Sequence, residues 1–200
     1  MDQIIEIKRF GGVTTVKMES GETLRVPSAV YLEQPLRLHQ TIDPEAYQAF
    51  VRQKAYPHAL ETAMQYLAMQ EHSGQEVRAR LLRSCYDETT VDRVMDTLDT
   101  HSLVSDARFA EQWTHSRSRK YGKSRIAQEL RMKGVSNQEV QAALDTIPEE
   151  EEYRLALDQA RKMCRKFQND PKKIAQSLMR KGYHWAMAKR AAEEAARDAE

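Results

Sequence analysis

The sequence contains no long apolar run and very few cysteines. Nowhere does it approach the roughly 20 consecutive apolar residues that a membrane-spanning helix needs, so we expect no membrane association. The N-terminal stretch MDQIIEIKRFGG lacks the apolar core and the small-residue cleavage site of a signal peptide. The two cysteines, Cys85 and Cys164, lie far apart. In a chain without a secretion signal we expect reduced thiols, which favours a cytoplasmic protein.

Motifs that hold phosphates or carry out catalysis are also missing. The sequence has neither GxGxxG nor GxxxxGKS/T, the glycine-rich patterns of phosphate loops, and it has no GxSxG nucleophile turn. The six histidines are scattered without an HxxxH pattern, and there is no CxxC. Structural zinc requires four closely spaced ligands. The sequence therefore predicts a protein that is not an enzyme and that has no metal site and no cofactor.

The spacing of apolar and glycine residues repeats three times along the chain. A set of apolar or glycine positions in the centre of the chain recurs 49 residues earlier and 48 residues later. Repeats of this length are typical of architectures in which each unit is one supersecondary element. A single three-helix unit buries only about six large apolar side chains, so we expect neighbouring units to share apolar faces. The three sets are Val77, Leu81, Cys85, Tyr86, Val91 and Met95; Ile126, Leu130, Gly134, Val135, Val140 and Leu144; and Ile174, Leu178, Gly182, Tyr183, Ala188 and Ala192.

The N-terminal segment differs from the repeats. Residues 3–26 contain β-branched residues between glycine turns, which predicts a three-stranded meander. Ile4, Ile5 and Ile7 are expected to form one apolar cluster that packs on the helical part of the chain. The leucines expected to anchor the following loop are Leu32, Leu36 and Leu38.

We therefore predict a mainly α fold, with three tandem three-helix repeats that form an elongated curved array and a small N-terminal β-meander. Asp43 followed by Pro44 predicts the first long helix. The predicted segments are 1–42 for the β segment and loop, 43–104 for a linker helix and repeat 1, 105–147 for repeat 2, and 148–200 for repeat 3.

Local signals refine the helix boundaries. Pro57 either kinks one long helix or separates two helices, and Ser73-Gly74 is expected to end that segment. Gly134 suits the left-handed position after a helix. Ser136 and Glu139 have the spacing of a capping box.

The tryptophans and one acidic run have both a structural and a functional interpretation. Trp113 and Trp185 lie on apolar stripes, so we interpret them as core residues rather than contact residues. The run Glu149–Glu152 comes at a predicted helix start, where the helix dipole stabilises negative charge. We interpret it as a solvated helix end, not as a ligand cluster.

Positive charge is concentrated in one part of the chain. The formal net charge is +1, but residues 105–135 contain eight lysines and arginines against three acids, a net +5. This cluster is either a solvated face or a surface that meets phosphates or an acidic protein, with Tyr121 able to stack. Its charge density favours the second interpretation, and the last repeat has a similar cluster. The candidate partner- or DNA-binding residues are Arg108, Arg117, Arg119, Lys120, Tyr121, Lys123, Arg125, Arg131, Lys133, Lys172, Lys173, Arg180 and Lys181.

The repeats resemble the RecX family of bacterial recombination regulators. The resemblance is carried by YLAMQEHS, by LVSDARFAEQW and by GKSRIAQELRMKGV. It is most specific over residues 66–144, whereas residues 1–40 and the last repeat match only loosely. Cys85 stands where the family usually has glycine, which affects the packing of repeat 1 more than the function. Within the second motif, the core residues are Asp106, Arg108, Phe109 and Ala110.

The resemblance implies a non-enzymatic modulator of the RecA recombinase. Such proteins bind the RecA–single-stranded-DNA filament and limit its growth, ATP hydrolysis and strand exchange, in DNA recombination, DNA repair and the SOS response. We expect a monomer whose direct binding to DNA is weak. The alternative is a helical DNA-binding module that acts on nucleic acid without RecA, which predicts tight, salt-dependent binding to naked DNA.

Overall fold

A computed structural model describes residues 1–199 of the chain. Over this range the protein is mostly helical, with a small antiparallel sheet at its N-terminus, and the predicted mainly α fold class is confirmed. The strands are β1 (Asp2–Phe10), β2 (Val13–Met18), β3 (Thr23–Pro27) and β4 (Thr41–Ile42). The helices are α1 (Ser28–Tyr31), α2 (Pro44–Leu67), α3 (Gly74–Arg83), α4 (Glu88–Thr100), α5 (Asp106–Ser118), α6 (Lys123–Met132), α7 (Asn137–Asp145), α8 (Glu149–Phe167), α9 (Pro171–Arg180) and α10 (Trp185–Arg197).

The chain forms two compact units. The first is Met1–Ser105, which holds the sheet and helices α1 to α4, and the second begins at Asp106 and holds α5 to α10. The second unit therefore contains the helices assigned from the sequence to repeats 2 and 3. The finer division into four segments stays a prediction.

The sheet has one strand more than predicted. Its strand order is β3-β2-β1-β4, and all neighbouring strands are antiparallel. The added strand β4 contributes Thr41 and Ile42, which pair with Gln3 and Asp2. A strand of two residues is too short to leave an alternating pattern in the sequence.

The apolar face of the sheet is narrower than expected. Ile4 is fully buried, but Ile5 is 50% exposed, because successive side chains of a strand point to opposite faces. A register shift between Ile4 and Glu6 lets Ile7 pack against the same core as Ile4. The three isoleucines therefore do not form one cluster.

One leucine, not three, anchors the loop that follows the sheet. Leu36 is buried in the core of the sheet segment, and the Tyr31 hydroxyl donates a 2.9 Å hydrogen bond to its carbonyl. Leu32 and Leu38 are both more than half exposed. The prediction for those two side chains is wrong.

Helix α2 continues through Pro57, so the alternative of a single helix is the correct one. Its start is as predicted, since the Asp43 carboxylate accepts the N–H groups of Glu45 and Ala46. The stretch Pro44–Leu67 ends well before Ser73-Gly74.

The prediction that Ser73-Gly74 ends a helix is wrong. Ser73 is the N-cap of α3, where its hydroxyl accepts the Glu76 N–H and the Glu76 carboxylate accepts the Ser73 N–H. Serine followed three residues later by glutamate is a helix-start signal, and it outweighs the breaker signal of the adjacent glycine. The same box at Ser136 and Glu139 is confirmed at the start of α7.

Each repeat has a left-handed residue after its second helix. The φ angle is +64° at Cys85, +83° at Gly134 and +91° at Gly182. The leucine four residues before each of these positions is fully buried. Because backbone angle and burial agree in all three copies, the predicted register of the repeats is confirmed. The three leucines are Leu81, Leu130 and Leu178.

Each repeat also has an apolar core of its own. Separate clusters of buried side chains lie in the sheet segment, in α2 to α4, in α5 to α7 and in α8 to α10. The expectation that neighbouring repeats share apolar faces is wrong for repeats 2 and 3. In the last repeat, buried alanines such as Ala160, Ala188 and Ala192 bring the helices close together and close the core within the repeat.

The two tryptophans lie in different environments. Trp113 is half-buried and its ring packs 5.7 Å from that of Phe109, measured between centroids. Trp185 is 52% exposed, so its prediction as a core residue is wrong. Although it shares the helical spacing of Ala188 and Ala192, it is the first residue of α10 and lies one turn before the buried part of that helix.

Candidate nucleic-acid interface

Two glycine turns join repeats 2 and 3. The Gly122 N–H donates to the Lys181 carbonyl at 3.0 Å, and the Ser124 N–H donates to the Gly182 carbonyl at 3.2 Å. A Cβ atom at Gly122 would lie less than 3.0 Å from the Gly182 backbone, and one at Gly182 would lie equally close to Arg125. The two backbones therefore approach too closely for a side chain on either glycine. We call this contact the repeat junction, formed by Gly122, Ser124, Lys181 and Gly182.

Beside the repeat junction, one carboxylate binds two of the predicted interface arginines. Glu129 on α6 is almost completely buried and accepts two hydrogen bonds of 2.8 Å from the Arg117 guanidinium. It also accepts one of 3.1 Å from Arg125 Nε and one of 3.1 Å from Trp113 Nε1. The hydrogen bonds from Arg117 are the main reason why the pKa of Glu129 is lowered below its ordinary value near 4.5. The single carboxylate therefore offsets one of the two positive charges, and the cluster of Arg117, Arg125 and Glu129, which we call the Glu129 cluster, keeps a net charge of +1.

Lys123 also forms contacts within the protein, with Ile147 and Glu152. Its Nζ donates to the Ile147 carbonyl at 2.6 Å and lies 4.0 Å from a Glu152 carboxylate oxygen. The other oxygen of Glu152 accepts the Lys123 backbone N–H at 3.1 Å, at the start of α6. The interpretation of Glu149–Glu152 as a solvated run is thus wrong for Glu152, which joins α8 to the start of α6.

Tyr121 is half-buried and makes contacts within repeat 2. Its ring packs against the core of repeat 2. The Arg117 guanidinium lies 4.5 Å from the ring centroid and that of Arg125 lies 5.8 Å away. The ring therefore contacts the arginines of the Glu129 cluster, and its stacking on a partner stays a prediction.

Three other predicted residues lie on repeat 2 with contacts of their own. Arg131 Nε donates a 2.8 Å hydrogen bond to the Asn137 side chain. Lys133 Nζ lies 4.2 Å from the centre of the Trp113 ring. Arg108 is exposed on α5.

Several of the predicted cations that are open to solvent lie around the repeat junction and on α9. Arg119 and Lys120 are exposed, and within residues 1–199 neither forms a salt bridge. Lys173 pairs with Asp170 at 3.4 Å, and Lys181 is half-buried. Other exposed members of the predicted set are Arg108, Arg125, Arg131, Lys172 and Arg180.

Sequence reasoning missed Glu129, Gln159 and Lys162. Glu129 lies four residues after Arg125, and that spacing is a helix ion-pair signal that could have identified it. Gln159 and Lys162 lie on α8, where no local pattern connects them with the turn near residue 120. Only the fold brings them there.

Two further properties bear on the type of site. Searching the described part of the chain finds no helix that is both long and apolar enough to cross a membrane. Over the same residues, no group of three histidine, cysteine, aspartate or glutamate side chains is placed to hold a metal ion.

These features define a class of protein: a chain of three-helix repeats that presents lysines and arginines at the turns between its helices. Family comparison gives the same class. Residues 105–144 match the family model of the RecX second three-helix domain, and residues 59–98 match that of the RecX first three-helix domain.

Relatives that match more than two thirds of this chain carry the same name. The regulatory protein RecX of Amycolatopsis mediterranei (strain U-32) is 34% identical over 143 residues, which cover 68% of this chain and 82% of that protein. Its counterpart in Clostridium perfringens (strain 13 / Type A) is 25% identical over 185 residues, or 89% of this chain and 87% of that one. This chain belongs to the RecX family of regulatory proteins.

A solved structure shares the fold. A crystal structure of a regulatory protein RecX superposes with a TM-score of 0.64 and 21% sequence identity, covering 94% of this chain and 97% of that chain. At this identity the similarity concerns the fold alone. It agrees with the helical repeats and the N-terminal sheet described above.

Proposed function

We propose that this protein is a non-enzymatic regulator that binds the RecA–single-stranded-DNA filament and inhibits its assembly, its ATPase and its strand exchange. The observation that carries the proposal is membership of the RecX family, whose relatives are named regulatory proteins. The RecA partner and the inhibitory direction come from the resemblance of the repeat motifs. In this proposal the protein acts in recombinational DNA repair.

The charge distribution of the second unit supports a filament partner. Arg119, Lys120 and Arg180 are exposed, and long-range attraction to phosphates increases both affinity and the rate of association. Arg117, Lys123 and Arg125 contribute less, because Glu129 and Glu152 offset part of their positive charge.

A direct test uses purified RecA on single-stranded DNA. The protein should sediment with the filament and lower the rate of ATP hydrolysis in proportion to the amount bound. A protein that neither sediments with the filament nor changes its ATPase does not have the proposed function. Tight binding to naked DNA at physiological salt, with no change in the RecA ATPase, would instead favour the alternative of a DNA-binding module.

Charge reversal should locate the contact without disturbing the fold. We predict that Arg119→Glu with Lys120→Glu weakens filament binding by at least about tenfold, because two phosphate-facing cations are replaced by anions. Lys123 and Arg125 are left unchanged, since reversing them would break the contacts with Glu152 and Glu129. The measurement is the half-maximal concentration for inhibition of the RecA ATPase.

The matched control for this variant is Lys189→Glu with Arg197→Glu. Both residues are exposed on α10, and the change in net charge is the same. The control should inhibit the RecA ATPase like the unmodified protein. Equal weakening in the two variants would mean that net charge, not the surface at Arg119 and Lys120, determines binding.

A further inference from the structure

The Lys181 side chain lies half-buried beside the repeat junction. Its Nζ donates a 2.6 Å hydrogen bond to Gln159 Oε1. The amide nitrogen of the same glutamine donates to the Arg119 carbonyl at 2.9 Å. One nearly buried amide on α8 therefore fixes the end of α9 and the turn between α5 and α6 at a common point.

Two more lysines are brought to this point. Lys120 directly follows Arg119, whose carbonyl receives the hydrogen bond from Gln159. Lys162 lies three residues after Gln159 on α8, a spacing that places both side chains on one helix face. Burial lowers the pKa of Lys181, and the positive charges of Lys162 and Lys120 lower it further. We call these three residues the lysine triad: Lys120, Lys162 and Lys181.

The lysine triad lacks the neutralising acids of its neighbours. Among residues 1–199, no carboxylate forms a salt bridge with any of its three members. By contrast, Arg117 and Arg125 share Glu129, and Lys123 lies beside Glu152. Like charges gathered without a counter-charge disfavour the folded state. Such an arrangement is typical of a site that receives its negative charge from a ligand.

We propose that the lysine triad binds a backbone phosphate of a single-stranded nucleic acid. Ammonium groups act as point charges that suit a phosphate with several oxygen acceptors. Lys120 and Lys162 are exposed, so a strand can reach the site without any movement of the fold. Arg119 and Arg180 are exposed and directly precede Lys120 and Lys181 in the chain, so they enlarge the positive surface, which favours a continuous strand over an isolated ion. The inference rests on the proposed function in one respect, since the filament supplies such a strand.

The test measures binding of the full chain to fluorescein-labelled oligo-dT by fluorescence anisotropy, without RecA. Lys120→Gln with Lys162→Gln removes two charges and leaves the Lys181–Gln159 hydrogen bond in place. We expect a loss of affinity of about tenfold at low salt, and a salt dependence whose logarithmic slope is smaller by about 0.7, the contribution of one single-strand phosphate contact. Unchanged affinity and slope would overturn the proposal.

The control is Lys54→Gln with Lys189→Gln, which removes the same charge from exposed positions that pair with Glu33 and Glu193. It should bind oligo-dT like the unmodified chain. The thermal midpoint is a second readout. A binding site that gathers like charges predicts an unchanged or higher midpoint for the Lys120 and Lys162 variant, whereas a lower midpoint would identify a structural role instead.

Competition identifies the source of the phosphate. Unlabelled oligo-dT should displace the labelled strand at phosphate concentrations where pyrophosphate does not, and equal displacement by pyrophosphate would overturn the assignment to a strand.

The outcome for the lysine triad can be distinguished from the outcome for the proposed function. If the unmodified chain binds no oligo-dT at low salt, the lysine triad proposal is wrong while inhibition of RecA can still be observed. If the triad variant loses oligo-dT but inhibits RecA normally, the triad binds a strand and the filament contact lies elsewhere.

Discussion

Alanine at position 182 is expected to destabilise the protein by about 3 kcal/mol. Gly182 has a φ of +91°, which costs an alanine about 1 kcal/mol. The new methyl group would also meet the Arg125 backbone and Cβ, and overpacking of this kind costs about 1–3 kcal/mol. Both effects act on the repeat junction. Urea unfolding followed by circular dichroism measures the change in free energy.

Two other glycines separate these contributions. Gly21 also has a φ of +91° but open space around its Cβ position, so Gly21→Ala should show the backbone effect alone. Gly122 has an ordinary φ of −78°, so Gly122→Ala should show the steric effect alone. If Gly182→Ala is no more destabilising than Gly21→Ala, the close approach at the junction does not contribute to stability.

Removing the charge of Glu129 is expected to have a comparable effect. Glu129→Gln leaves Arg117 and Arg125 facing each other without the carboxylate that accepts from both. Loss of one partner from a buried ion pair costs about 3–5 kcal/mol, and the partial exposure of Arg117 places the expected loss near 3 kcal/mol. The matched control is Glu151→Gln, which removes an exposed pair with Arg154 and should cost below about 1 kcal/mol.

The pH dependence of the Glu129 variant has a defined sign. The pKa of Glu129 is lower in the folded protein than its ordinary value near 4.5, so its contribution to stability is complete above that value. It is lost as the pH falls through the lowered pKa. The difference in stability between the unmodified protein and Glu129→Gln should therefore be constant near neutral pH and should shrink in acid. A difference that grows in acid would contradict the assignment of the carboxylate as the charged partner.

The register of the repeats could be predicted because each repeat leaves a local signal. A left-handed position after a helix favours glycine, and the box of Ser136 and Glu139 satisfies the free N–H groups of the next helix. An error occurred where two local signals compete, and one alternative stayed open where a proline lies inside a helical pattern. At Ser73-Gly74 the breaker and the cap occur together, and at Pro57 the sequence allowed both a single helix and two helices, of which the single helix is present.

The free cations could not be predicted to the same degree. Sequence composition counts Arg117, Lys123 and Arg119 alike, but only the fold shows that the first two lie beside Glu129 and Glu152. Likewise, Lys162 is distant in sequence from the turn at Lys120, and a hydrogen-bonded glutamine brings the two regions together. Charge counts locate a basic region, whereas the identity of its unneutralised members depends on tertiary contacts.

The polar nature of the contact between repeats 2 and 3 has a consequence for local unfolding. Because each repeat keeps its apolar core to itself, parting the two exposes little hydrocarbon to water. Such an opening requires far less free energy than melting either core. The amide hydrogens of Gly122 and Ser124 should therefore exchange with deuterium well before those of Leu130 and Leu178. A bound strand would then slow hydrogen exchange most at the repeat junction.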